Sequence, residues 1–326
     1  MSSEITFLEG LRQGLREEME RDDRVFILGE DVGAYGGAFK VTEGLQKQFG
    51  ESRVIDTPIS EAAIVGAAAG AAHLGMRPVA EMQFIDFISC AYDMLTNYVA
   101  TARYRAGLPT PMVVRGPCGG YVRGGPFHSQ NPEAAFFHTP GLKIVYPSTV
   151  RDAKGLIKAA IRDDDPVLYL EHKWLYRRIK DQIPEGEEIL TPIGSARIAR
   201  EGKDLSIITY GATVWKSLEA AEVLEKDGVS VEILDLRTLL PLDDEGILKT
   251  VKKTNKVLIV HEDTRTGGLA GEITARINEK AFEWLDGPIM RVTAHDVPLP
   301  YAPTLEDFVL PQTDDIVKAA RWLAGY

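Results

Sequence analysis

The chain has 326 residues, of which 44% are apolar and 26% charged, and it carries a formal net charge of -11. That length suits about two domains with ample core. The acidic balance, with no basic run to offset it, excludes nucleic-acid and membrane-surface roles. No apolar stretch reaches membrane-spanning length, and the start lacks a basic-then-apolar leader pattern. The two cysteines, Cys90 and Cys118, lie in contexts that read as buried and have no CxxC partner. A reducing cytoplasm is the expected setting.

Leu8, Leu11, Leu15 and Met19 recur at helical spacing. The strand "RVFILGED" follows, then the Gly-rich loop "DVGAYGGAF". "ISEAAIVGAAAGAA", from Ile59 to Ala72, predicts a helix of Ala, Gly, Ile and Val with no polar face. Such a helix is expected to be buried on all sides, by neighbours close enough to need Gly66 and Gly70. "RPVAEMQF" reads as a strand and "DFISCAYDMLTNYVATARYRAG" as one long helix stopping at Gly107. "PMVVRGP" is the continuous apolar strand of a covered parallel sheet. A Gly-rich loop, "RGPCGGYVRGGPFHSQNPEA", leads to "GLKIVYPS", the helix "VRDAKGLIKAAIRD" and the strand "PVLYLEH".

The alternation breaks near residue 178. Residues 179–200 are charged, hold two prolines and predict a linker with a short hairpin. A second alternation then runs through "DLSIITYG", "VSVEILDLR", "KVLIVHED" and "IMRVTAHD". The fold class is therefore α/β, two doubly wound, mainly parallel-sheet domains, over residues 1–178 and 201–326.

Ligands of open α/β sheets bind at the carboxyl ends of strands. Three loops qualify: the one after "RVFILGED", "TPISE" before the Ala/Gly helix, and the segment holding His128. Nucleotide and metal signatures are missing. There is no GxGxxG after the first strand, no GxxxxGK[ST], no HExxH and no CxxC, and "GGLAGE" at Gly267 has the wrong spacing. Glu61 has a plain reading as a first-turn acid, favoured by the helix dipole by about 0.3–1 kcal/mol. Its functional reading is a buried carboxyl that exchanges a proton, since burial raises a carboxyl pKa by up to about 3–5 pH units. His128 stands in a flexible loop beside Ser129, Gln130 and Asn131, a better place for a site than His73 or His138, which read as structural. "IRDDDP", Ile161 to Pro166, is either a solvated turn or a hard-cation site of carbonyls and carboxylates.

"GEDVG", "DTPISE", "RPVAEMQFIDF", "ARYRAG", "VVRGPCGG", "HSQNPEA", "DAKGLIKAAIRDDDPVLYLE" and "ILDLRTLLPLD" occur in an order found in one group. Over essentially its whole length the chain resembles the beta subunits of the thiamine-diphosphate-dependent 2-oxoacid dehydrogenases. The resemblance implies a pyrimidine-binding first domain and a transketolase C-terminal-like second domain. Glu61 matches the glutamate that hydrogen-bonds the pyrimidine N1′ and favours the imino tautomer, with the small-residue helix packed at a subunit interface. Phe87 matches the stacking aromatic, with Gln83 nearby. His128 matches the histidine facing the substrate and lipoyl side, and Glu30 an acid linking two active sites through protonatable groups. A potassium site resembles Met112, Ala160, Ile161, Asp163 and Asp165, the last being Asp where relatives commonly have Asn.

No GDG…N motif occurs in the chain. The resemblance therefore implies an alpha subunit that supplies magnesium and diphosphate binding within a heterotetramer of two alpha and two beta chains. The implied reaction is decarboxylation of a small 2-oxoacid with reductive acylation of the lipoyl group on an acyltransferase core. "HSQNPEAAF" favours a branched-chain substrate. A pyruvate or acetoin dehydrogenase subunit is the alternative, and a non-catalytic scaffold subunit another.

Overall fold

The computed structural model describes residues 2–184 and 186–326. Two compact units emerge: Ala135–Ile193 joins everything up to Cys118 in the first, and Gly119–Ala134 joins Gly194–Tyr326 in the second.

The first unit contains, in chain order, β1 (Ser2–Thr6), α1 (Phe7–Arg21), β2 (Val25–Gly29), α2 (Leu45–Phe49), β3 (Val54–Asp56), α3 (Glu61–His73), β4 (Arg77–Glu81), α4 (Ala102–Ala106) and β5 (Val113–Cys118). After α5 (Glu133–Phe137) come β6 (Lys143–Val145), α6 (Val150–Arg162), β7 (Val167–His172) and β8 (Lys180–Pro184). Its parallel sheet runs β6-β7-β5-β4-β2-β3. Every residue of β2, β5 and β7 is buried, as continuous apolar runs covered on both faces require. A Thr6–Glu9 capping box starts α1, and Leu8, Leu11, Leu15 and Met19 form its buried face. This helix packs on α6 at close range. A Cβ on Gly14 would lie 2.5 Å from the Ile157 Cγ2 and 3.0 Å from the Lys154 carbonyl oxygen.

Two expectations change here. The long helix over residues 86–107 is three pieces: a 3₁₀ segment Ile85–Ala91, a π segment Met94–Val99 and α4. Thr96 and Thr101 donate their hydroxyls back to the carbonyls of Tyr92 at 2.9 Å and Asn97 at 2.6 Å. Asn97 also ties its side chain to Asp93 at 2.6 Å. Such back-bonding competes with the regular ladder and bends helices. The piece still ends at Gly107, with φ 67°. The Ala/Gly helix α3 is buried on one face only, through Ile64, Val65, Ala68, Ala69 and Ala72. Ala62, Ala63, Ala67 and Gly70 are exposed. A Cβ on Gly66 would meet only the Met94 Cε at 3.2 Å, and one on Gly70 would meet nothing within 4 Å. Side chains this small leave no ridge for the chain itself to grip. Cys90 is exposed rather than buried, and Cys118 is buried.

The second unit holds β9 (Arg197–Arg200), β10 (Leu205–Thr209), α7 (Thr213–Lys226), β11 (Val231–Asp235), β12 (Thr238–Leu240), α8 (Asp244–Thr254), β13 (Val257–Thr264), α9 (Leu269–Ala281), β14 (Met290–Ala294), α10 (Pro303–Val309) and α11 (Thr313–Ala324). Its sheet runs β14-β13-β10-β11-β9, parallel except for β9. Leu205, Ile207, Leu224, Ile233, Val260, Ile316 and Leu323 fill one core layer. Among the described residues of the segment 179–200, the expected hairpin does not form. β8 pairs with β1, and β9 pairs with β11, both antiparallel. β8 makes a separate two-stranded sheet with β1, and β9 closes the edge of the second unit's sheet.

Candidate functional site

In the first unit, three predicted residues gather at the carboxyl end of the parallel sheet. The β2–β4 register pairs Gly29 with Glu81, so Asp31 and Gln83, each two residues beyond its strand, emerge side by side, with Glu30 next to Asp31. Asp31 takes φ 57° and accepts a hydrogen bond from the Gln83 Nε2 at 3.0 Å. Burial pushes the Glu30 carboxyl above its usual range, and the charges of Glu61 and Asp31 push it further. Glu61 opens α3, half-buried, and its charge thus bears directly on Glu30. Phe87 is half-buried and stands edge-on to Phe84, with centroids 6.5 Å apart. Phe84 in turn meets Phe39 edge-on at 5.4 Å. The cluster offers acids, an amide and an aromatic wall.

Behind this cluster lies a site that the sequence reading missed. Arg115, almost completely buried, is bonded to both Glu171 and Glu81, and the Tyr176 hydroxyl donates to Glu171 at 2.6 Å. Burial pushes Glu81 up to about 7; Arg115 pulls it down, while the charges of Glu171 and Glu30 raise it. The available signal was one charged residue inside each of three otherwise apolar strands, "VAEM", "VVRGP" and "LYLEH".

His128 belongs to the second unit. Its loop, 119–134, is pinned there along its length. Gly120 donates its N–H to the Glu262 Oε1, and Asn131 reaches the same oxygen at 2.9 Å. The Tyr121 hydroxyl donates to the Pro311 carbonyl at 2.8 Å, and the Tyr210 hydroxyl donates to Glu133 at 2.9 Å. His128 is half-buried, and its N–H bonds the Gly125 carbonyl at 3.3 Å. Beside the loop opens a cavity of about 490 Å³ lined by Ser129, Asn131, Glu262, Asp263, Asp296 and Leu299 among others. Its walls are acidic. Burial raises Asp263 to about 6, with Glu262 and Asp296 adding to the effect against the hydrogen bonds of Thr264. Glu133 is raised well above the carboxylate range by burial and by Asp263. His73 is structural as read, bonding Thr110 at 3.1 Å and Tyr98 at 3.3 Å.

The residues matched to a potassium site lie at the opposite, amino end of the sheet, and their oxygens are already engaged. Arg77 donates to the carbonyls of Ile161 and Asp163, both at 2.9 Å. The Met112 carbonyl accepts from Val167 at 3.0 Å and that of Ala160 from Asp163 at 3.3 Å. Lys143 binds the Asp163 carboxylate at 2.7 Å and Asp165 at 3.4 Å, and Arg103 also bonds Asp165. Among the described residues, no group of three or more His, Cys, Asp or Glu side chains could hold a metal ion. Three cations, Arg77, Arg103 and Lys143, thus stand among the oxygens matched to the potassium site, and each carbonyl keeps a second lone pair.

The fold is of the transketolase type. The transketolase pyrimidine-binding domain family matches residues 3–178 and the transketolase C-terminal domain family residues 194–316. A solved structure described as a split gene transketolase, inactive beta4 tetramer, shares the fold with a TM-score of 0.80 at 21% identity, covering 98% of this chain and 99% of its own. Among curated proteins, the chain is 51% identical over 327 residues to the 2-oxoisovalerate dehydrogenase subunit beta of Bacillus subtilis (strain 168), covering 99% of this chain and 100% of that protein. It is 44% identical over 321 residues to the pyruvate dehydrogenase E1 component subunit beta of the same organism, covering 98% of each. A pyruvate dehydrogenase E1 component subunit beta of Staphylococcus aureus (strain COL) matches at 44% with the same coverage. The chain belongs to the family of 2-oxoacid dehydrogenase beta subunits, components of decarboxylating oxidoreductases.

Proposed function

We propose that this chain is the beta half of a branched-chain 2-oxoacid dehydrogenase, assembled with an alpha subunit as a heterotetramer that acylates the lipoyl group of an acyltransferase core. The carrying observation is 51% identity, across 99% of this chain, to a 2-oxoisovalerate dehydrogenase beta subunit, against 44% to the pyruvate relatives. Among the described residues no helix is long and apolar enough to cross a membrane; two free cysteines accord with a cytoplasmic complex.

Thiamine diphosphate fits the first unit by its pyrimidine half. In this reading Glu61 shares a proton with a ring nitrogen, Phe87 covers the ring, and Gln83 and Glu30 border it. When bound, the cofactor supplies the carbon nucleophile and electron sink that decarboxylation of a 2-oxoacid needs. Glu30 supports this reading, since its raised pKa and the neighbouring Glu61 charge make an environment that favours holding a proton between carboxyls. His128 moves a proton on the substrate side, a task suited to imidazole near neutral pH. The alpha subunit supplies the magnesium and diphosphate site, because this chain has no GDG…N and its net charge of -11 offers a polyanion no general attraction.

Glu61→Gln tests the reading. The variant is expected to assemble with the alpha subunit and to lose about 10²–10⁴-fold in decarboxylation, the usual worth of a general acid–base group. A purified variant complex within tenfold of the parent rate overturns it. Steady-state rates of the parent complex with 3-methyl-2-oxobutanoate, pyruvate and acetoin distinguish the substrate classes.

A further inference from the structure

We infer that Arg123 is a positioning residue for His128, acting through an ionic latch onto α10. The inference rests on His128 being the proton-transferring group proposed above.

The latch is built from both ends of Arg123. Its backbone N–H donates to the Glu306 Oε1 at 3.1 Å, and its Nη1 bonds the Glu306 Oε2. The same guanidinium forks onto Asp307, Nη1 to Oδ1 at 2.7 Å and Nη2 to Oδ2 at 3.1 Å. Nη1 also donates to the Pro303 carbonyl at 3.0 Å. Glu306 has a side-chain exposure of 0%, and both its oxygens are met by Arg123. A buried carboxylate of this kind holds its partner firmly, because separating them strands a charge away from water. Lysine cannot reproduce the planar fork.

The backbone confirms that something holds the loop from outside. Tyr121 and Arg123 sit at φ 59° and 64°, a region that non-glycine residues keep only when their surroundings enforce it. From Arg123 to His128 the chain has no slack. A Cβ on Gly124 would lie 2.7 Å from the His128 carbonyl oxygen and 2.7 Å from the Ser129 Oγ. Gly125, at φ +69°, lies flat against Tyr301, whose ring would stand 2.2 Å from an added Cβ. The turn closes with the His128 N–H on the Gly125 carbonyl. Release of Arg123 therefore shifts His128, five residues on, rather than being absorbed between them. Displacing a reacting group by about 1 Å costs on the order of 10²-fold.

The test is a double-mutant cycle in the assembled complex. Arg123→Ala is expected to lower reductive acylation about 10–100-fold and, in a His128→Ala background, to cause less than about twofold further loss, because groups acting through one another are not additive. Arg123→Lys is expected to fall between Ala and the parent. Hydrogen exchange of the peptide over residues 119–131 should quicken about tenfold in Arg123→Ala, with the α3 peptide unchanged. Losses that multiply, or unchanged exchange in 119–131, overturn the positioning role and leave the His128 assignment standing. A His128→Ala complex at the parental rate overturns that assignment and the positioning role with it. Should Arg123→Ala fail to assemble, Glu306→Gln, which keeps the Asp307 fork, carries the same cycle.

Discussion

The Arg115 cluster of the first unit and the cavity wall of the second bury carboxyl groups by opposite means. In the first, Glu81 and Glu171 are neutralised from outside by a buried guanidinium, Arg115. In the second, Glu133 has a tyrosine hydroxyl and Glu262 an amide and a backbone N–H. There burial is answered by protonation, with Glu133 raised well above its range and Asp263 to about 6. A buried charge must find a counter-ion or take up a proton. The first solution makes a site depend on its partner as well as on pH, since Glu81 still sits at about 7; the second makes it depend on pH alone.

Removing the counter-ion has the largest expected effect. Arg115→Met leaves two buried carboxyls without a cation and should cost about 3–5 kcal/mol in urea unfolding. A loss under about 1 kcal/mol would mean that protonation suffices in the first unit too, erasing the contrast. Glu171→Gln comes next, at about 1.5–3 kcal/mol for a hydrogen bond to a charged group. It also removes one of the charges that raise Glu81. Glu81 favours the fold below pH 4.5 and loses that contribution as pH rises to about 7. In Glu171→Gln that loss should move to lower pH, which stability measured from pH 4.5 to 7.5 will show.

His261 sharpens the pH side with the opposite sign. It is buried and stacks on Tyr210 at 5.9 Å, accepts from the Ala270 N–H at 3.2 Å, and burial lowers it to about 4. A histidine depressed in this way contributes stability above pH 6.5 that is lost as pH falls through 4. Relative to His261→Gln, the parent should lose about 2 kcal/mol between pH 6.5 and 5; parallel thermal midpoints across that range contradict the neutral buried imidazole. The smallest effect is expected for Glu133→Gln. A carboxyl whose burial favours the protonated form is close in shape and charge to an amide, so the cost at pH 7 should stay below about 1 kcal/mol. A cost like that of Glu171→Gln would show Glu133 to be a charged group after all.

The alternation of strands and helices and the candidate loops after "RVFILGED" and at "TPISE" were legible from the chain itself, whereas Glu30 and Gln83 came only from the family resemblance. Strand identity is carried by continuous apolar runs such as "VFILG" and "VLYLE", and in a parallel sheet loops at strand ends face a common side. Both are local properties, and local pattern is what a sequence displays. Helix breaks over residues 85–106 are less visible, because threonine back-bonding overrides a helical pattern without altering its periodicity.

Only the tertiary structure decided which charges meet. Arg115 finds Glu81 and Glu171 across 34 and 56 residues of sequence, because the sheet order places β4, β5 and β7 side by side. Arg77, Arg103 and Lys143 likewise stand among the oxygens that the sequence offered to a potassium ion. The His128 loop joins the second unit through Glu262, Glu306 and Pro311, residues far along the chain. Periodicity records which face of an element is apolar. It carries no record of which distant partner will stand opposite, since that follows from strand order and from the long-range cost of leaving a buried charge alone.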